Sequence, residues 1–92
     1  MIVFADAASE SPAERLWDLP PSAKLVYRVL EDEAPLTQSE IGERSRLTRR
    51  TTRHAISLLR EADLVDTEPY PSDARKRLYR PIAVVEDGEG SK

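Results

Sequence analysis

Apolar residues in this chain recur in short helical stripes broken by prolines, and near residue 64 the stripes give way to two segments of strand character. Residues 1–10 carry no period and read as a flexible N-terminus. Ser11-Pro12-Ala13-Glu14 combines a capping serine, proline at the first helical position and glutamate at the third. This is a capping box, and it predicts a short helix through Trp17 or Asp18. Pro20-Pro21 stops that helix, because proline lacks an amide donor and disfavours helix in the residue before it. Ser22 is the expected cap of the next helix, whose apolar positions Leu25, Val26, Val29 and Leu30 share one stripe and which ends before Pro35.

Pro35-Leu36 leaves room for a strand fragment only. Thr37-Gln38-Ser39-Glu40 is a second capping box and opens a helix from Gln38 to about Ser45, with Ile41 as its main core residue. Arg46 and Leu47 make a turn, and Thr48 caps a longer helix that runs to Ala62 or Asp63 and buries Thr52, Ala55, Ile56 and Leu59. Leu64 to Glu68 and Arg77 to Ile82 read as strands around the turn-rich Pro69-Tyr70-Pro71-Ser72-Asp73, a long-tipped hairpin. The acidic, glycine-bearing residues 85–92 are expected to form a disordered tail. The class is α+β, mainly helical: one domain over 11–84, with a three-helix core, a two-stranded β-hairpin and a short extra N-terminal helix.

A length of 92 residues suits one modest core and leaves little chain for an elaborate cleft. No apolar run approaches the roughly 20 residues needed to span a bilayer. The first eight residues lack a basic start and are interrupted by Asp6, so no export signal is read and the expected location is cytoplasmic. Without cysteine there is no disulfide framework or thiolate zinc site, and the single histidine, His54, cannot build a histidine metal cluster. None of the three glycines (Gly42, Gly88, Gly90) sits in a phosphate-cradling turn. No metal or cofactor is expected, and an enzyme is disfavoured.

The net charge of −3 argues at first against a nucleic-acid partner. Its distribution argues the other way. Residues 1–43 hold nine acids and three bases, residues 44–80 ten bases and five acids, and residues 81–92 three acids and one base. A basic middle thus lies between acidic flanks. The bases are eleven arginines and three lysines, a balance that resembles salt-adapted archaeal proteins, although a GC-rich genome also favours arginine.

Leu36-Thr37-Gln38-Ser39-Glu40-Ile41-Gly42, then Leu47-Thr48-Arg49-Arg50-Thr51-Thr52, then Leu58-Leu59-Arg60-Glu61-Ala62-Asp63-Leu64-Val65 together resemble MarR-like and related archaeal winged helix regulators, a likeness covering about residues 19–82. The resemblance implies a winged helix-turn-helix that binds double-stranded DNA sequence-specifically. Residues 48–62 would form the recognition helix in the major groove, and the wing at 66–82 would lie on the backbone or minor groove. Asp73-Ala74-Arg75 resembles the Asp-x-Arg of that family's wing, which implies that Asp73 steadies Arg75 for the minor groove.

Helix geometry agrees with this implication. At about 100° per residue, the face opposite the buried stripe holds Arg50, His54, Ser57 and Glu61, with Arg53 beside them. Arg49, Arg50 and Arg53 crowd the start of the helix, where cations oppose the macrodipole at roughly 0.3–1 kcal/mol each. Arginine suits base reading there, because its planar fork can donate two bonds to guanine, worth about 1–3 kcal/mol of discrimination. Taken alone these residues would be an ordinary solvated face. Arg75, Lys76, Arg77 and Arg80 add a second basic cluster on the wing, and the two together favour DNA. Thr37 and Thr48 are caps first, and Thr48 or Thr51 is a phosphate contact second.

Other residues keep two readings. His54 contacts a base or phosphate, or is incidental. Gly42 permits close helix packing, and Arg46 stands where many such turns have glycine. Tyr79 covers the sheet or lies at its edge. Trp17, with Leu16 and Leu19, either closes a small core or forms a homodimer contact, since members of the resembled family dimerise through helices outside the winged domain and the long C-terminal helix typical of full-length members has no counterpart here. The alternative function is a winged-helix protein–protein interaction module without specific DNA binding.

Overall fold

The structure is a computed structural model and describes residues 11–82; the terminus at 1–10 and the tail at 85–92 lie outside the described residues. Four helices, α1 (Pro12–Trp17), α2 (Pro21–Glu33), α3 (Gln38–Ser45) and α4 (Arg49–Glu61), precede strands β1 (Val65–Tyr70) and β2 (Asp73–Pro81), which form an antiparallel pair. Both capping boxes are present, Ser11 with Glu14 on α1 and Thr37 with Glu40 on α3. Thr48 caps α4 by accepting the Thr51 amide at 3.1 Å.

Helix α2 differs from the expectation in its start and in its buried face. Pro20, not Ser22, is the cap residue and has no side-chain cap bond, while Pro21 begins the helix with its φ already set. The buried positions are Ala23, Val26, Tyr27 and Leu30, whereas Leu25 is 42% exposed and Val29 half-buried. The stripe turns toward Tyr27 because its hydroxyl donates to the Ile82 carbonyl at 2.6 Å, which satisfies the one polar atom of the ring. Burial, with a smaller contribution from the nearby Glu31 charge, raises the Tyr27 pKa.

The core collects these side chains with Leu36, Ile41, Ala55, Ile56, Leu59, Leu64, Val65 and Tyr79. All four positions expected to be buried on α4, Thr52, Ala55, Ile56 and Leu59, face inward. Tyr79 belongs to the core, and Leu36 pairs with it as a single-residue bridge. The Leu36 amide donates to the Tyr79 carbonyl at 3.1 Å and the Tyr79 amide to the Leu36 carbonyl at 2.8 Å. The strand fragment is therefore real, and it ties the start of α3 to the wing.

Trp17 does not close the core. It is 75% exposed, with the Lys24 ammonium 4.7 Å from its ring centroid. Helix α1 is held instead by Leu16 and Leu19 packing on the core and by Arg15, whose Nε donates to the Ala62 carbonyl at 2.8 Å.

Between α3 and α4 the chain reverses through Arg46 at φ 60°, ψ 33°, a left-handed conformation that glycine adopts without steric cost. Arg46→Gly is expected to raise stability by about 0.5–1 kcal/mol in urea unfolding. A loss instead would mean that the Arg46 side chain itself holds the turn. Gly42 serves the close packing expected of it: a Cβ there would stand 3.2 Å from Thr52 Oγ1, a hydroxyl already committed to the Thr48 carbonyl at 2.8 Å.

Candidate nucleic-acid interface

The wing is tighter than its sequence suggested. Pro69 and Tyr70 belong to β1 and Asp73 to Lys76 belong to β2, so only Pro71 and Ser72 remain as the turn of the hairpin. Pairing runs in register from Val65↔Pro81 to Pro69↔Arg77, then jumps to Tyr70↔Asp73. The irregularity falls beside Pro69, which has no amide to give to the ladder. Ala74, Arg75 and Lys76 consequently have no cross-strand Cα partner and bulge outward, all three exposed.

Asp73 braces this bulge. Its Oδ1 accepts the Arg75 amide at 3.0 Å and the Arg75 Nε at 3.3 Å. The Arg75 backbone bond, then the side-chain bond, with the Lys76 charge nearby, hold the Asp73 carboxyl below its ordinary value. The brace is therefore complete above the usual aspartate range and is lost as pH falls through the lowered value.

The folded chain brings the two basic clusters together. A groove of about 500 Å³ is lined by Arg49 and Arg53 of α4, by Arg75, Lys76, Arg77 and Tyr79 of β2, and by Thr37, Gln38 and Ser39 at the start of α3. Arg49, Arg53 and the three wing cations are exposed. Five cations converge on one concavity without a carboxylate lining it, an arrangement that favours a polyanion.

Arg50, His54 and Ser57 are exposed along the outer side of α4 and do not line this groove. Thr48 is exposed and Thr51 half-buried at the start of the helix, joined hydroxyl to hydroxyl at 3.0 Å. Arg80 stands apart: its Nη2 donates to Glu68 Oε2 at 2.8 Å, and it is not among the groove residues. Gln38 and Ser39 also line the groove, although neither stands out as a candidate in the sequence. The signal available was positional, since the capping box that starts α3 places the next two side chains beside the wing once Leu36 bridges to Tyr79.

Among the described residues no group of three or more His, Cys, Asp or Glu side chains is placed to hold a metal ion, and no helix is long and apolar enough to cross a membrane.

Comparison with known proteins agrees with the architecture. No curated protein sequence matches the chain. Among solved structures, the PcaV transcriptional regulator from Streptomyces coelicolor is 30% identical, with 73% of this chain and 54% of that chain covered and a TM-score of 0.66. The MarR family transcription regulator SP03579 is 18% identical over 95% of this chain and 55% of that chain, with a TM-score of 0.67. A complex of Staphylococcus aureus MepR with DNA is 15% identical over 87% of this chain and 68% of that one, also with a TM-score of 0.67. The chain thus spans about half the length of the first two regulators it matches. A MarR family sequence model matches residues 17–76, about two thirds of the chain, and the chain belongs to the MarR family.

Proposed function

We propose that the protein is a sequence-specific transcriptional regulator that binds double-stranded DNA, with α4 in the major groove and the β1–β2 wing on the backbone and minor groove. The observation that carries this reading is the groove in which Arg49 and Arg53 of the helix face Arg75, Lys76 and Arg77 of the wing. Support comes also from PcaV, a transcriptional regulator, and from MepR, whose structure is a complex with DNA.

In this reading the two sets of residues have different tasks. The outer side of α4, with Arg50, His54 and Ser57, meets base edges, while the groove cations meet phosphates and Arg75, one of them, also reaches the minor groove. Thr48 and Thr51 reach phosphate near the helix start, Asp73 orients Arg75, and Arg80 adds charge at the wing's base while pairing with Glu68. The protein acts by occupancy, not catalysis. Its acid-rich, lysine-poor composition fits the cytoplasm of a salt-adapted archaeal cell.

Exposed Trp17, with Leu16 and Leu19 behind it, supplies the surface on which a second copy would dock, so that two recognition helices meet two half-sites.

Arg50→Ala is expected to cost about 1–3 kcal/mol of discrimination at one base position. Lys76→Ala is expected to weaken all sequences alike and to reduce the salt slope by about 0.9. Titration of a matched and a mismatched duplex across a salt series separates the two. Equal, sequence-blind losses from both variants would remove base reading from α4.

A further inference from the structure

The bulge beside Pro69 leaves Lys76 without a cross-strand partner, so the ladder does not fix where its side chain points. Its ammonium nevertheless has a definite seat: Lys76 Nζ lies 5.6 Å from the centroid of the Tyr70 ring, and the side chain lines the groove shared with Arg49 and Arg53. Tyr70 itself is half-buried and does not line the groove. The Asp73 carboxylate near Lys76 is engaged by Arg75. A flexible lysine loses much rotamer freedom when it grips a phosphate, and an aromatic face that already holds the ammonium reduces that loss.

We propose that Tyr70 is a positioning residue of the wing: its ring holds the Lys76 ammonium at the groove, ready for a phosphate oxygen of the DNA duplex. This rests on the DNA-binding reading above. The ring face performs the task and the hydroxyl is not needed, so phenylalanine serves as well as tyrosine whereas leucine does not.

The test is a double-mutant cycle on the full chain, with a short mixed-sequence duplex as a phosphate probe across a salt series. Tyr70→Phe is expected to bind as the parent does. Tyr70→Leu is expected to bind about two- to fivefold more weakly, with a shallower salt slope whose change does not exceed about 0.9. In a Lys76→Ala background, Tyr70→Leu is expected to have no further effect. Proton NMR supplies a readout independent of DNA: the Lys76 methylene next to Nζ is shifted upfield by the ring in the parent and in Tyr70→Phe, and not in Tyr70→Leu.

Equal losses from Tyr70→Leu with and without Lys76 would assign Tyr70 a purely structural role and overturn the proposal. Unchanged binding would overturn it as well, and tighter binding would show that the ring sequesters the ammonium. If the ring shift is seen but the parent chain binds no duplex, the DNA-binding reading has failed and the positioning role falls with it. Should the parent bind and the cycle show no coupling, the positioning role alone has failed.

Discussion

Replacing Arg75, Lys76 and Arg77 together by alanine is expected to weaken duplex binding by on the order of a hundredfold at 0.1 M salt and to lower the salt slope by about 2.7. Each of the three lines the groove opposite Arg49 and Arg53. A phosphate contact releases about 0.9 of a counterion, so the three losses add in the slope even where they fail to add in free energy. All three side chains are exposed and lie on the bulged half of the wing, away from the core, so the melting temperature should move little. Fluorescence anisotropy of a labelled duplex over a salt series measures the slope. A slope unchanged from the parent would exclude the wing from the interface, whatever the affinity.

Ile41→Ala carries the largest expected effect on stability, about 2–5 kcal/mol. Ile41 is fully buried and is the one apolar anchor of α3, where Gly42 has no side chain and Ser45 spends its hydroxyl on the Ile41 carbonyl at 2.7 Å. Removing three carbons there opens a cavity that α3 cannot fill by moving toward α4, since Gly42 already stands close to Thr52. A domain of this size is stable by only about 4–10 kcal/mol, so a large share of the chains should be unfolded at moderate temperature. Urea denaturation followed by circular dichroism reads this directly. A loss below about 1 kcal/mol would mean that α3 contributes little to the stability of the fold.

Local chemistry was the legible part of this chain. Ser11–Glu14 and Thr37–Glu40 announce their helices because a capping box is closed within four residues, and the α4 stripe of Thr52, Ala55, Ile56 and Leu59 follows from period alone. What escaped depends on partners far along the chain. The inward turn of Tyr27 needs the Ile82 carbonyl 55 residues away, so Leu25 looked equally suited to the core. Pro69-Tyr70-Pro71 has the composition of a loop, yet pairing with β2 draws Pro69 and Tyr70 into the strand, where a bulge absorbs the missing amide. Trp17 has the character of a core residue, but α1 is anchored by Leu16, Leu19 and Arg15, which leaves the indole outside.

The candidate site shows the same division. The basic residues could be counted from sequence, and helix period placed Arg50 and His54 outward. That Arg49 and Arg53, not Arg50, share a groove with the wing depends on how β2 packs beside α3, which the Leu36–Tyr79 bridge sets. Gln38 and Ser39 enter the groove by the same bridge, and Arg80 leaves it for Glu68 across the strand pair.

Selection of bound duplexes from a random-sequence pool by the full chain, repeated at several salt concentrations, tests the central claim most directly. The account predicts one recurring motif that Arg50→Ala blurs at a single position, with retention of all sequences falling steeply as salt rises. Recovery of no motif at any salt would contradict it and favour a winged helix that binds protein.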